Sequence, residues 1–238
     1  MTEWKARRFW TAANVVAEDT GGYAVRLDDK PVLSPLKTRL VTPTQALADG
    51  VAAEWDAQVE VIDPTSMPLT RAVNATLDKV IPQRAAVVAN LAEYGGSDLL
   101  CYRADGPEAL VAQQNEAWDP MLAWLDRTHG VRLVSTCGVI PVDQCSDGLA
   151  LLHAVVDEYS AWELTAFSEF VTLSGSLVLA IAVMDGAVPR DVAWAKSRVD
   201  EMWQTSQWGE DEEEAALVAM KKASFLQAGT YLDLVRGG

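Results

Sequence analysis

The sequence predicts an α+β protein, with a small N-terminal antiparallel β domain followed by a larger all-α helical domain. Three observations carry this. Between Val15 and Thr42 apolar residues alternate and turn residues interrupt them, as where Tyr23, Val25 and Leu27 follow Gly21-Gly22. After Ile62-Asp63-Pro64 the composition shifts to long runs of Ala, Leu, Val and Trp, with strand signals only from Arg132 to Pro141. No fixed-period repeat and no low-complexity linker separates the two parts, so they are expected to pack together. The boundary falls at residue 64, giving a β-rich domain over 1–64 and a helical domain over 65–238.

Each element has its local reason. Asp28-Asp29-Lys30-Pro31 reads as a tight turn into Val32-Leu33, because Asp side chains bond their own following backbone. Thr42-Pro43 signals a helix start, since Pro at the first helical position lacks only an N–H that would be unpaired there. Ala46, Leu47, Val51 and Trp55 continue that helix. Met67-Pro68-Leu69-Thr70-Arg71 fits either a helix start or a rigid exposed loop. Further helices are expected over 69–80, 83–94, 107–128, 146–160, 165–185, 189–207 and 210–235. Phe170 to Met184, the most apolar run, is shorter than the roughly 20 residues that cross a bilayer and reads as a buried helix. In 189–207 the stripe Val192, Ala195, Val199, Met202 makes the helix amphipathic. In 210–235, Leu217, Met220, Ser224, Ala228, Tyr231 and Val235 share a face that Val218, Phe225 and Leu232 widen. That predicts a deeply packed helix whose acidic first turn protrudes.

Composition excludes several functions. The formal charge of −15, from 19 Lys+Arg against 34 Asp+Glu, repels phosphate backbones and anionic lipids, and no basic cluster offsets it. Cys101, Cys137 and Cys145 are an odd number without C-x-x-C spacing, which fits neither a disulfide framework nor a structural zinc site and suits a reducing cytoplasm. Residues 1–9 lack the apolar core of a signal peptide. There is no P-loop, no G-x-G-x-x-G and no serine-hydrolase elbow, so neither a nucleotide cofactor nor a catalytic residue is assigned. His129 reads as a helix-end histidine meeting the last carbonyls, His153 as a helix-surface or satisfied one, and Cys101 as a small core residue.

The most distinctive stretch is Trp203 to Glu214, where two Trp residues precede Gly209 and five consecutive acids. Contiguous acids fan around a helix and do not make a calcium loop, so no metal is expected. They complement a helix N-terminus, and Gly209 marks the boundary. Trp208 is left as either a core staple or a half-exposed ring available to a partner. A competing function, a small-molecule hydrolase with carboxylate acid–base chemistry in an interdomain cleft, rests only on the abundance of acids and the two-domain reading.

Many strings, in order, resemble one family. They are Arg8-Phe9-Trp10, Gly21-Gly22-Tyr23, Leu27-Asp28, Lys30-Pro31, Ala53-Glu54-Trp55-Asp56, Ile62-Asp63-Pro64, Met67 to Arg71, Gly96 to Arg103, Gln114 to Pro120, Thr172 to Ala180 and Trp203 to Asp211. The chain is similar to the assembly chaperones of the F-type ATP synthase, which hold the free α subunit of the catalytic head before β joins. Asp29 departs from the pattern, where the family's turn usually carries Gly. The resemblance implies a β domain followed by a helical domain, and a holding function without catalysis or nucleotide. It implies that the α subunit is the partner, with no nucleic acid, membrane insertion or small-molecule substrate, and that the location is the bacterial cytoplasm. It also implies that the acid of the Trp-Gly-Glu-Asp string matters. The partner-binding candidates are therefore Glu210 and Asp211, presented with Trp208 and Trp203, while Glu212 to Glu214 are read as solvating charge.

Overall fold

The computed structural model describes residues 7–138 and 140–237. An N-terminal antiparallel sheet is followed by ten α-helices among the described residues, which is the α+β class that the sequence predicts. Packing divides the chain into two compact units. The first comprises the described residues of Met1–Arg84 together with Ala161–Ala166 and Gly229–Gly238, and the second comprises Ala85–Ser160 and Phe167–Ala228.

In the first unit, β1 (Ala13–Ala17) and β2 (Tyr23–Leu27) form a hairpin, with Val15 opposite Val25. β3 (Lys30–Pro31) and β4 (Val41–Thr42) both pair with β2. The β2–β3 turn is closed by Asp28 and Asp29, Leu27 standing opposite Lys30, and Asp28 takes the left-handed conformation usually left to Gly. Its carboxylate accepts the N–H groups of Thr11 and Ala12, which compensates for that backbone cost. Gly22 is fixed by a close approach as well as by its positive φ, since a Cβ there would lie 2.8 Å from the Thr42 carbonyl oxygen.

α1 (Gln45–Asp56) is capped by Thr44, whose hydroxyl accepts from the Leu47 N–H, so the helix begins two residues after Pro43. Pro68 stands at the first position of α2 (Pro68–Ala75), which settles the Met67 to Arg71 string as a helix start. The Glu54 carboxylate, on α1, accepts the N–H groups of Leu69 and Thr70 and so caps α2 from a neighbouring helix. That bond ties α2 to α1. A π-helical turn, Thr76–Val80, continues α2. There the buried Thr76 hydroxyl meets the hydroxyls of Thr165 (2.7 Å) and Tyr231 (2.8 Å), and burial drives the Tyr231 phenol pKa well above its ordinary value.

The second unit contains α3 (Arg84–Ala92, from Ala85 onward), β5 (Tyr102–Arg103), α4 (Glu108–His129), β6 (Thr136–Cys137, parallel to β5) and α5 (Ser146–Asp157). It continues with α6 (Ala161–Ser174, from Phe167 onward), α7 (Leu177–Met184), α8 (Arg190–Lys196), α9 (Val199–Trp208) and the first part of α10 (Glu212–Arg236).

The expected helix over 165–185 is two helices. Gly175 adopts φ +71° between α6 and α7, and Ser176 restarts the helix by accepting from the Leu179 N–H. The expected helix over 189–207 is likewise two, α8 ending at Ser197, whose hydroxyl bonds back to the Trp194 carbonyl. α7 is buried along its whole length, and no helix among the described residues is long and apolar enough to cross a membrane.

A fully buried carboxylate ties this unit together. Asp98 accepts from the Leu100 N–H, the Ser176 hydroxyl and the Val178 N–H at 2.9–3.1 Å, so it caps its own short 3-10 turn (Leu99–Cys101) and the start of α7 at once. Burial pushes its carboxyl pKa up from 3.8 to about 6, against the opposing pull of those donors. The neighbouring Cys101 thiol is likewise pushed up to about 12 by burial, as expected of an inert core residue.

Removing the carboxylate in Asp98→Ala leaves three buried donors unpaired and is expected to cost about 3 kcal/mol, measured by chemical denaturation. Because the folded pKa lies above the unfolded one, the folded chain holds this proton where the unfolded chain has released it. The contribution of Asp98 to stability is therefore greatest below pH ~4, falls as pH rises to ~6 and is flat above. Asp98→Asn should abolish that slope in the pH dependence of unfolding.

Candidate partner-binding surface

Helix α9 is held in place by α4 and exposed on its other sides. The Trp118 indole N–H donates to the Lys196 carbonyl (2.7 Å), and the Lys196 ammonium donates to the Ala117 carbonyl (2.8 Å). Buried Gln114 accepts from the Ala104 N–H and donates to the Asp200 carboxylate at 2.6 Å. The Trp118 bond holds backbone at the end of α8, and the Lys196 and Asp200 side chains tie the α8–α9 junction to α4, so the Gln114 to Pro120 string positions α9. Arg198 stacks on Trp194 and pairs with Glu201 at 2.9 Å, neutralising one acid of the surface.

Two grooves flank α9. A cavity of about 440 Å³ lies between α9 and α10, walled by Met202, Ala215 and Val218 and rimmed by Glu201, Glu210, Asp211 and Glu214. A shallower one of about 390 Å³ runs beside α4, lined by Val192, Ala195, Val199, Met202 and Glu116. The amphipathic stripe of the sequence therefore faces this open groove, while Ala193 and Trp194 occupy the core. Met202 lines both grooves and is 62% exposed.

The four candidate residues have different positions. Trp208 is 79% exposed at the end of α9, which decides between the two placements left open for it. Trp203 is half-buried. Gly209, at φ +90°, separates α9 from the following acids, as expected. Asp211 accepts the N–H groups of Glu213 and Glu214, so it caps α10. Glu210 is exposed on the groove rim. Glu214, which sequence reading grouped with solvating charge, also lines the groove. Its signal was the spacing to Val218, one helical turn on.

α10 departs from the deeply packed helix expected of it. Phe225, Ala228, Tyr231 and Leu232 are buried, but Leu217 and Met220 are 45% and 60% exposed. Ala215 to Met220 is apolar all round and still reaches solvent. Such a helix is ordinarily covered by protein.

The histidines stay outside this surface. His129 bonds Asp185 (2.9 Å) and packs edge-on to Trp124, whereas a meeting with the last carbonyls of α4 was expected; Gly130, left-handed, closes that end. His153 is exposed on α5. No group of three or more His, Cys, Asp or Glu able to hold a metal occurs among the described residues.

Open grooves with an acidic rim beside an uncovered apolar helix are features that protein-binding surfaces share. Residues 7–126 match the family model described as ATP12 chaperone protein, and the chain belongs to that family. It is 23% identical over 219 residues to Protein atp12, mitochondrial, of Schizosaccharomyces pombe, covering 85% of this chain and 74% of that protein. The crystal structure of Atp12 from Paracoccus denitrificans superposes with a TM-score of 0.94 at 47% identity, over 98% of this chain and 100% of that one. Atu1473 protein from Agrobacterium tumefaciens superposes with a TM-score of 0.89 at 38% identity, over 97% and 85%.

The two neighbouring acids are expected to separate by stability. Asp211→Ala loses a helix cap and should cost about 1 kcal/mol, whereas Glu210→Ala and Trp208→Ala, on exposed side chains, should stay within about 0.5 kcal/mol of the parent in urea denaturation.

Proposed function

We propose that this chain is an assembly chaperone of the F-type ATP synthase, that it holds the unassembled α subunit of the catalytic head before β joins, and that it does so without catalysis. The observation that carries the reading is the uncovered apolar length of α9 and α10, rimmed by Glu210 and Glu214, in a member of a chaperone family. Subunit surfaces that await a partner are more apolar than ordinary surface, and covering them suppresses aggregation by mass action. Met202 and Val218 supply apolar contact, Trp208 and Trp203 offer aromatic anchors, and the exposed Glu210 carboxylate selects for a basic side chain on the client. Asp211 supports this site by capping the helix that presents it.

The test is co-purification with newly made α subunit. A complex is expected, and Glu210→Lys should weaken it about tenfold or more while shifting the thermal midpoint little. Absence of a complex where α stays soluble and unassembled contradicts the reading. An equal loss of folding would return Glu210 to a structural role.

A further inference from the structure

The first half of α10 carries a second apolar face. At about 100° per residue, Glu214, Ala215, Val218 and Ala219 point into the groove beside α9, whereas Ala216, Leu217, Met220, Ala223 and Ser224 fall on the outer side and are all exposed. The apolar run Ala215 to Met220 is bounded by Glu212 to Glu214 before it and by Lys221-Lys222 after it. This order of acid, apolar and base is its own complement when the helix is turned end for end. Glu214 then stands opposite Lys221, and the outer apolar residues opposite one another. A two-fold contact between identical chains requires that kind of self-complementarity. Glu214 and Lys221 are also two turns apart on one flank of the helix, and like flanks meet in an antiparallel helix pair. Neither side chain has an ion-pair partner among the described residues.

We propose that two copies of this chain pair antiparallel along the outer face of α10. Leu217 and Met220 of each copy pack against the same residues of the other, and Glu214 of each meets the partner's Lys221. The seam is about three helical turns long, well short of a standard interface, and a net charge of −15 on each copy opposes it. The dimer is therefore weak and reversible, a cover for apolar surface that a tighter contact displaces. Apart from Glu214, which also rims the proposed client groove, it uses the face of α10 that this groove leaves free, and it stands whether or not the α subunit is the client.

Sedimentation velocity of the purified chain at about 0.15 M salt tests the pairing, read between about 5 and 500 µM. The average mass should rise with concentration from 25.8 kDa toward twice that value. Leu217→Asp should hold the chain monomeric with an unchanged thermal midpoint, since the side chain it replaces is exposed. Glu214→Lys and Lys221→Glu should each weaken association about tenfold, and the double exchange should restore it. A parent chain that stays monomeric throughout overturns the proposal, as does a Leu217→Asp chain that still associates. Failure of the double exchange to restore association overturns the antiparallel register. If the parent is monomeric and Leu217→Asp instead loses the α subunit, the outer face belongs to the client and the dimer is refuted.

Discussion

The buried carboxylate of Asp98 is the constraint on which the helical unit depends. A carboxylate without solvent is costly unless donors surround it, and here two of the three donor residues, Ser176 and Val178, lie 78 and 80 positions away in sequence. The Gly175 turn aims the start of α7 at Asp98, so the break between α6 and α7 and the buried charge require each other. With α7 fixed, the apolar core of the unit closes around a helix that has no exposed residue.

A second set of bonds transmits that rigidity to the surface. Gln114 and Trp118 are buried on α4, yet their polar atoms reach the α8–α9 junction and hold it at 2.6–2.7 Å. α9 is thereby fixed through one side, leaving Met202 and Trp208 unfilled on the others. Presenting apolar side chains on a rigid element lowers the ordering entropy that a partner contact must overcome. The unit thus combines a firm support with an uncovered face.

The sequence made the fold class legible because alternation and helical spacing are local signals, strong in Tyr23 to Leu27 and in the helical runs. The helix boundary at Gly209 was legible for the same reason. The breaks at Gly175 and Ser197 were not, since apolar periodicity runs through both and only tertiary bonds reveal the restart. Asp98 carried no periodic signal at all, because its partners are defined by the fold. The exposure of Leu217 and Met220 was misread for a related reason: an apolar helix face shows that something should cover it, without showing whether the same chain does. Most strings that carry the family resemblance prove to be structural. Arg8 binds backbone carbonyls of Trp10, Asp56 and Gln58, Glu54 caps α2, and Asp98 caps α7.

The central claim is that the α9–α10 surface engages the unassembled α subunit, and site-specific photocrosslinking addresses it most directly. With the photoreactive residue at Met202 or Trp208, the account predicts a crosslinked adduct identified as α by mass spectrometry, and none from the same residue at His153 on exposed α5. Adducts with α from His153 but not from Met202 or Trp208 would contradict it.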